Sequence, residues 1–551
     1  MTAQVIVGGD RLTLGQLIAV ARDGAHVELA AAAIDRMGPS REWVERAITD
    51  RSGPNGEIAP IYSINTGFGS LAGRSAFQDP QQGADLSRRL IVSNACGVGP
   101  FLSTDVVRAA MLIRISSLTR GFSGVRTEVV QTLIDMLNAG VTPAVPEIGS
   151  LGASGDLVPL AHMMLVATRA AEGDAEVDSG EAIVHGERVS GLAAMQDAGI
   201  ARIVLGAKEG LALTNGTSFS TALAALAVHD AAQLMATAEV TAAMSIEALL
   251  GFGDAFLPQI HDARGQAGQI TAAANIRRLL TGSTLTDGSL ETDPVRQPPQ
   301  DAYSLRCIPQ VHGAVRDTLA FAHGIVENEI NAATDNPLIF PDLPRRLKAA
   351  SGGNFHAEYL AFVSDFTAIA VTEIGSIAER RLFRLDDGTL NRGLPDMLID
   401  SEDVGMDCGY MLPQYVAAAL VSDCKTLAHP DSVDSIPTCA NQEDHVSMAG
   451  NAGRHARQVV ENITHVIGFE LVMAAQALEL RLAQPEFSGA SLAPATRAVL
   501  NLVRRTPTET GSAIEHLTRD IVMYPQLRAA AELVRSGAVV RAVASYLSPD
   551  T

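Results

Sequence analysis

The chain has 551 residues, 47% of them hydrophobic but only 4% aromatic, and a formal net charge of −21 at pH 7. That length exceeds one ordinary core, and an alanine-rich, aromatic-poor composition suits closely approaching helices better than a sheet. The acidic balance argues against nucleic acid or an anionic membrane as partner, since either demands a basic face. Five cysteines without a C-x-x-C pair suggest neither a disulfide framework nor a zinc knuckle, which points to the cytoplasm.

From the N-terminus, "MTAQVIVGGDRLTLGQL" reaches glycine and charge before a secretory apolar core is built, so no signal peptide is expected. The Pro/Gly-rich loop at 51–60 delivers the chain into "IYSINTGFGSLAG", read as irregular. Residues 104–140 show helical spacing at Val106, Ala109, Ala110, Ile113 and Leu118, punctuated by Gly121 and Gly124, and predict two helices. "NAGVTPAVPEIGS" is too rich in Pro and Gly for regular structure, and the short alternating runs at 172–200 predict a small surface β-ribbon.

Further along, 210–252 is the most membrane-like stretch, yet Asn215, His229, Asp230, Glu239 and Glu247 interrupt it, as in a helix buried in protein. Helices are predicted at 218–250, 357–383 and 457–483; the last carries Val459, Ile463, Val466, Ile467, Leu471, Ala474 and Leu478 at three- and four-residue steps. The aperiodic stretch 281–300 reads as a loop. The expected architecture is mainly α: a mixed N-terminal domain over 1–225 with minor short β-ribbons, a long central up-down helical bundle over 226–485, and a helical tail over 486–551.

The chemistry is concentrated in "SLGASGDLVPL" at 150–160. Taken alone, Ala153-Ser154-Gly155 has the composition of an ordinary turn. The triplet also suits a backbone reaction. Attack of the Gly155 amide nitrogen on the Ala153 carbonyl carbon closes a five-membered ring, and dehydration through the Ser154 hydroxyl leaves an exocyclic methylidene electrophile. Gly155 permits the approach because it lacks a Cβ, Ser154 supplies the leaving hydroxyl, and Ala153 adds little bulk.

With that triplet, "YSINTGFG" at 62–69, "GSLGASGDLVPLAH" at 149–162, "LTNGTS" at 213–218, "QDAYSLRCIPQVHGAVRD" at 300–317, "ENEINAATDNPLIF" at 327–340, "SGGNFHAE" at 351–358 and "ANQEDHVSMA" at 440–449 follow in order along the chain. The whole resembles the methylidene-imidazolone (MIO) family, the histidine, phenylalanine and tyrosine ammonia-lyases and their related 2,3-aminomutases. The resemblance implies an MIO group formed autocatalytically from Ala153, Ser154 and Gly155, which captures the amine of an amino acid substrate. It implies Tyr62 as general base, a role that asks for a phenol pKa well below the usual ~10. It further implies Arg306 as the fork binding the substrate carboxylate, with Tyr303 and Gln300 beside it, Asn215 as a polar contact and Phe355 as a pocket wall. Asn354 and His356 are read as structural. A homotetramer with sites shared between subunits is a further implication, and the loops at 62–73 and 281–300 are the candidate lids. His312, His445 and Asp444 form no recognisable ligand set, and no metal is expected.

Two positions bear on the side-chain pocket. Glu443 resembles the histidine enzymes, because a carboxylate accepts an imidazole N–H and penalises a ring lacking one. Ser93-Asn94 departs from the Ser-His expected there; an amide bonds to an imidazole but does not titrate. "GVTPAVPEIGSLGASGDL" and "KEGLALTNGTS" carry an accent of the bacterial tyrosine 2,3-aminomutases. The sequence therefore implies ammonia elimination from L-histidine or a close heteroaromatic analogue, with a 2,3-aminomutase and a catalytically inactive helical scaffold as alternatives.

Overall fold

A computed structural model describes residues 4–51, 56, 58–75, 79, 82–286, 299–344, 348–403 and 405–548. Part of the loop at 51–60 and residues 287–298 of the second candidate lid lie outside the described residues. The protein is mainly α, as the composition predicts, with nineteen α-helices and a few short strands among the described residues. It divides into two compact units: residues 1–226, 323–365 and 430–454 in the first, and 227–322, 366–429 and 455–551 in the second.

In the first unit, helices Thr104–Thr119 and Thr127–Asn138 fall where the spacing predicts them. The former is buried from Val106 through Thr119, including Arg108 and Arg114. The predicted ribbon is the hairpin Glu181–Val184 with Glu187–Ser190; residues Gly191–Asp197 instead form a helix capped by the Ser190 hydroxyl.

The stretch read as irregular before the Ala-Ser-Gly loop is a correction. Thr142–Pro143 adds to the ribbon, and Pro146–Ile148 pairs antiparallel with Val98–Phe101. Proline lacks only the donor: the Ala144 amide bonds to Glu181 O at 2.8 Å, and Val145 O accepts from Leu102 at 2.8 Å. These short pairings lead the chain directly into the loop.

The second unit is a helical bundle around one apolar core, drawn from residues between Ala227 and Leu547. Helices Ser218–Ala248, Glu358–Asp386 and Ala449–Ala483 occupy the predicted stretches. The last begins earlier than its apolar period, because Asn451, Arg454 and His455 dilute the pattern in its opening turns. Gly375 lets two helices approach closely, since a Cβ there would collide with the Ile463 side chain. Buried Glu470 ties three helices together: Thr241 and Ser245 hydroxyls donate to it at 2.8 Å, and Arg381 forks onto it at 2.5 and 3.0 Å. Among the described residues one helix, Glu358–Asp386, is long and apolar enough to cross a membrane by length and composition, and 67% of its apolar window is buried inside the protein.

Candidate active site

The Ala-Ser-Gly loop lies in the first unit, between strand Pro146–Ile148 and helix Leu157–Ala167. Its backbone is turned into the left-handed region at Gly152 (φ 77°), Ser154 (φ 53°) and Gly155 (φ 74°). For Ser154 that conformation costs roughly 1–3 kcal/mol, which the surroundings must offset. At Gly155 no side chain fits, because a Cβ would run into the Gly216 backbone. The loop is stitched to Asn215-Gly216: Asn215 Nδ2 donates to Ser154 O at 2.8 Å, Gly216 N to the same oxygen at 3.3 Å, and Asp156 N to Gly216 O at 2.8 Å.

Asp156 closes the loop. Its carboxylate is fully buried and accepts from Phe219 N and Ser220 N at 2.8 Å, and from the Ser220 and Ser150 hydroxyls at 2.7 Å. Those amides open helix Ser218–Ala248, where unpaired N–H groups favour an anion. Burial nonetheless pushes the Asp156 pKa up, with the hydrogen bonds opposing. Arg114, buried in its own helix, donates to Asn215 O at 2.7 Å and so fixes the residue that holds the Ser154 carbonyl. Sequence reasoning passed over Asp156 and Arg114. The adjacency of an acidic residue to the triplet was a signal for the first; nothing local marks the second.

Glu443 is brought to the loop from far along the chain. Its Oε1 accepts from Ser154 Oγ at 2.6 Å, and its Oε2 accepts from the Thr438 hydroxyl at 2.8 Å. The turn that aims it is strained, with Cys439, Ala440 and Asn441 successively at φ 51°, 52° and 65°. Tyr62 is half-buried nearby, its hydroxyl accepting from Gly69 N at 3.3 Å. Burial pushes its pKa up, the charges of Glu443 and Cys439 add to that, and the Gly69 hydrogen bond opposes it. The depressed phenol that the sequence reading asks for is thus not produced by burial beside negative neighbours. Asn215 Oδ1 is buried with no partner among the described residues.

Among the described residues, no hydrogen bond draws the other first-unit candidates into this cluster. Ser93 and Asn94 end helix Gln82–Asn94, and the Ser93 hydroxyl turns back to Leu90 O at 3.0 Å. Phe355 is half-buried. His356 and His445 stack at 5.6 Å between centroids, and with Glu358 they hold one possible ligand atom each within 4.8 Å of one another. The shortest approaches use opposite nitrogens of His356, Nδ1 toward Glu358 at 3.8 Å and Nε2 toward His445 at 3.5 Å. Asp444 is exposed.

Gln300, Tyr303 and Arg306 belong to the second unit. Asp301 anchors the segment, accepting from Arg392 and from Phe252 N at 2.7 Å. Helix Tyr303–Arg306 sets the Arg306 guanidinium 4.4 Å from the Tyr303 ring centroid, with Nε donating to Asp301 O at 2.9 Å. Tyr303 is 70% exposed, and Gln300 is exposed beside it. His312 is fully buried with both ring nitrogens unpartnered among the described residues, and burial holds its pKa well below the usual value.

Residues 12–505 match the family model of aromatic amino acid lyase. The chain is 46% identical over 541 residues to the histidine ammonia-lyase of Symbiobacterium thermophilum, covering 98% of each. Histidine ammonia-lyase from Trypanosoma cruzi matches in structure with a TM-score of 0.84 at 37% identity, over 99% of this chain and 96% of that one. Tyrosine aminomutase from Streptomyces globisporus matches at 0.87 and 35% identity, over 100% and 99%. Similarity of this extent, running almost end to end, makes the chain a member of the aromatic amino acid lyase family.

Proposed function

We propose that the chain eliminates ammonia from L-histidine, or a close heteroaromatic amino acid, to give a urocanate-type acrylate. The observation that carries this reading is the carboxylate of Glu443 held against the Ala-Ser-Gly loop by Thr438. A charged acceptor at that place selects a ring bearing an N–H. The first relatives, named histidine ammonia-lyases, support the same substrate.

The triplet fits the MIO group: its residues are small, Ser154 is already in the left-handed region, and Gly155 stands where no Cβ is tolerated. Formed there, the group supplies the electrophile that takes the substrate amine. Asn215 holds the Ser154 carbonyl and presents its unpartnered Oδ1 to a donor. Arg306, stiffened by Tyr303, offers two parallel N–H groups to the carboxylate, with Gln300 beside it. Ser93, Asn94 and Phe355 flank the side chain. Tyr62 takes the β-proton; since burial raises its pKa, this role needs a cation or further donor brought by assembly or by substrate.

The protein works as a cytoplasmic homotetramer with shared sites. All five cysteines are free, as in a reducing compartment. In the second unit, Phe321, Phe366 and Ile369 line an exposed apolar cavity of about 690 Å³, and Leu412 and Tyr415 are exposed as well. Such a surface marks an association site. No metal takes part in the scheme.

Mixing the protein with L-histidine tests the reading. Urocanate and free ammonia in equal amounts support it, and an unchanged substrate overturns it. The likeness to a tyrosine aminomutase favours a second reading, amine return to the β-carbon, which an isomeric amino acid with little free ammonia would establish instead.

A further inference from the structure

Before it reacts, the Ser154 hydroxyl already has a dedicated partner. Its oxygen donates to Glu443 Oε1 at 2.6 Å, the length of a charge-assisted hydrogen bond, and Thr438 occupies the other carboxylate oxygen at 2.8 Å. The other acid beside the loop, Asp156, is taken up by two backbone amides and two hydroxyls. On the far side of the same residue, two donors, Asn215 Nδ2 and Gly216 N, converge on Ser154 O.

Resting on the proposed MIO chemistry, we infer that Glu443 is the proton donor for the dehydration of Ser154 that completes the group, in addition to its place in the substrate pocket. Ring closure joins Gly155 N to Ala153 C and expels the Ala153 oxygen as one water. In the second loss, a base takes the Ser154 Cα proton, and the electron pair of that bond becomes the Cα=Cβ double bond. Negative charge developing on Ser154 O is received by Asn215 and Gly216, arranged as the donors of an oxyanion site. The step starts once Glu443 has taken up a proton from solvent, so that the 2.6 Å contact runs the other way, carboxyl O–H to Ser154 Oγ; the Cβ–Oγ bond breaks, and the hydroxide leaves as water with that proton. The Cα proton, passed through solvent, restores that carboxyl, so one water is lost and nothing is oxidised or reduced. A poor leaving group departs slowly without such a proton, and positioned acids typically contribute about 10²–10⁴-fold.

The test follows the mass of the loop peptide in freshly synthesised full-length chain, with time. The natural sequence loses two waters. Glu443→Gln, which keeps the shape but donates no proton, is expected to lose the second water at least about tenfold more slowly and to accumulate the peptide lacking only one. Glu443→Asp restores part of the rate. A merely structural role would not make a one-water species accumulate in a chain with natural helix content. Loss of both waters by Glu443→Gln at the natural rate overturns the inference and leaves the proposed function standing. A natural chain that keeps both waters while consuming histidine overturns the two together.

Discussion

At the scale of single residues, the site depends on groups that are small, strained or buried, and each has a measurable consequence. Ser154→Ala keeps the hydrogen bonds of its backbone but has no hydroxyl to lose; it should retain natural helicity by circular dichroism while turnover falls to background. Tyr62→Phe removes the proposed base, and kcat should drop by at least about 10²-fold with KM little changed. For mature enzyme, Glu443→Gln should lower kcat/KM for histidine by about ten- to a hundredfold, the effect of roughly 1.5–3 kcal/mol for a hydrogen bond to a charged group. Sequence alone was enough to single out Ser154, Asn215 and Glu443, because ring-closure chemistry and family motifs mark the residue types. It could not supply the Ser154–Glu443 contact, which joins positions 289 apart in the chain. Nor could it give the direction of the Tyr62 pKa, which burial and negative neighbours decide.

Helices and loops set these residues in place. Asp156 joins the reactive loop to the first amides of helix Ser218–Ala248, so Asp156→Ala would strand two backbone N–H groups and two hydroxyls. Destabilisation of at least about 3 kcal/mol is expected, read as a lower melting temperature in calorimetry. In the second unit, Asp386 ends helix Glu358–Asp386, where burial, then Asp387 and Asp396, push its pKa up to about 7. A carboxyl whose folded pKa lies above its unfolded value favours the native state while protonated. That contribution is complete below about pH 4 and is lost as pH rises through about 7. Asp386→Asn should therefore raise the melting temperature at pH 8 and beyond, where the natural residue is ionised, and change it little in acid. Long helices were readable from their apolar period. Strands Thr142–Pro143 and Pro146–Ile148 were not, because their pairing comes from distant carbonyls and amides while their own prolines argue locally against a strand.

For the molecule as a whole, the proposal calls for assembly, and Tyr303 in the second unit is exposed, as suits a group completed by a further subunit. Ile369→Asp places a charge on the exposed apolar cavity, and sedimentation should show smaller species with activity falling in parallel. Composition foretold the helical class, but the division into two units built from interleaved segments follows from contacts that no linear boundary signal announces. The most direct measurement is the mass of the peptide spanning Gly149 to His162 in mature, active protein. A deficit of two waters, absent from Ser154→Ala, is the expected result; an unmodified peptide from protein that releases ammonia from histidine would contradict the cyclised loop on which the catalytic scheme rests.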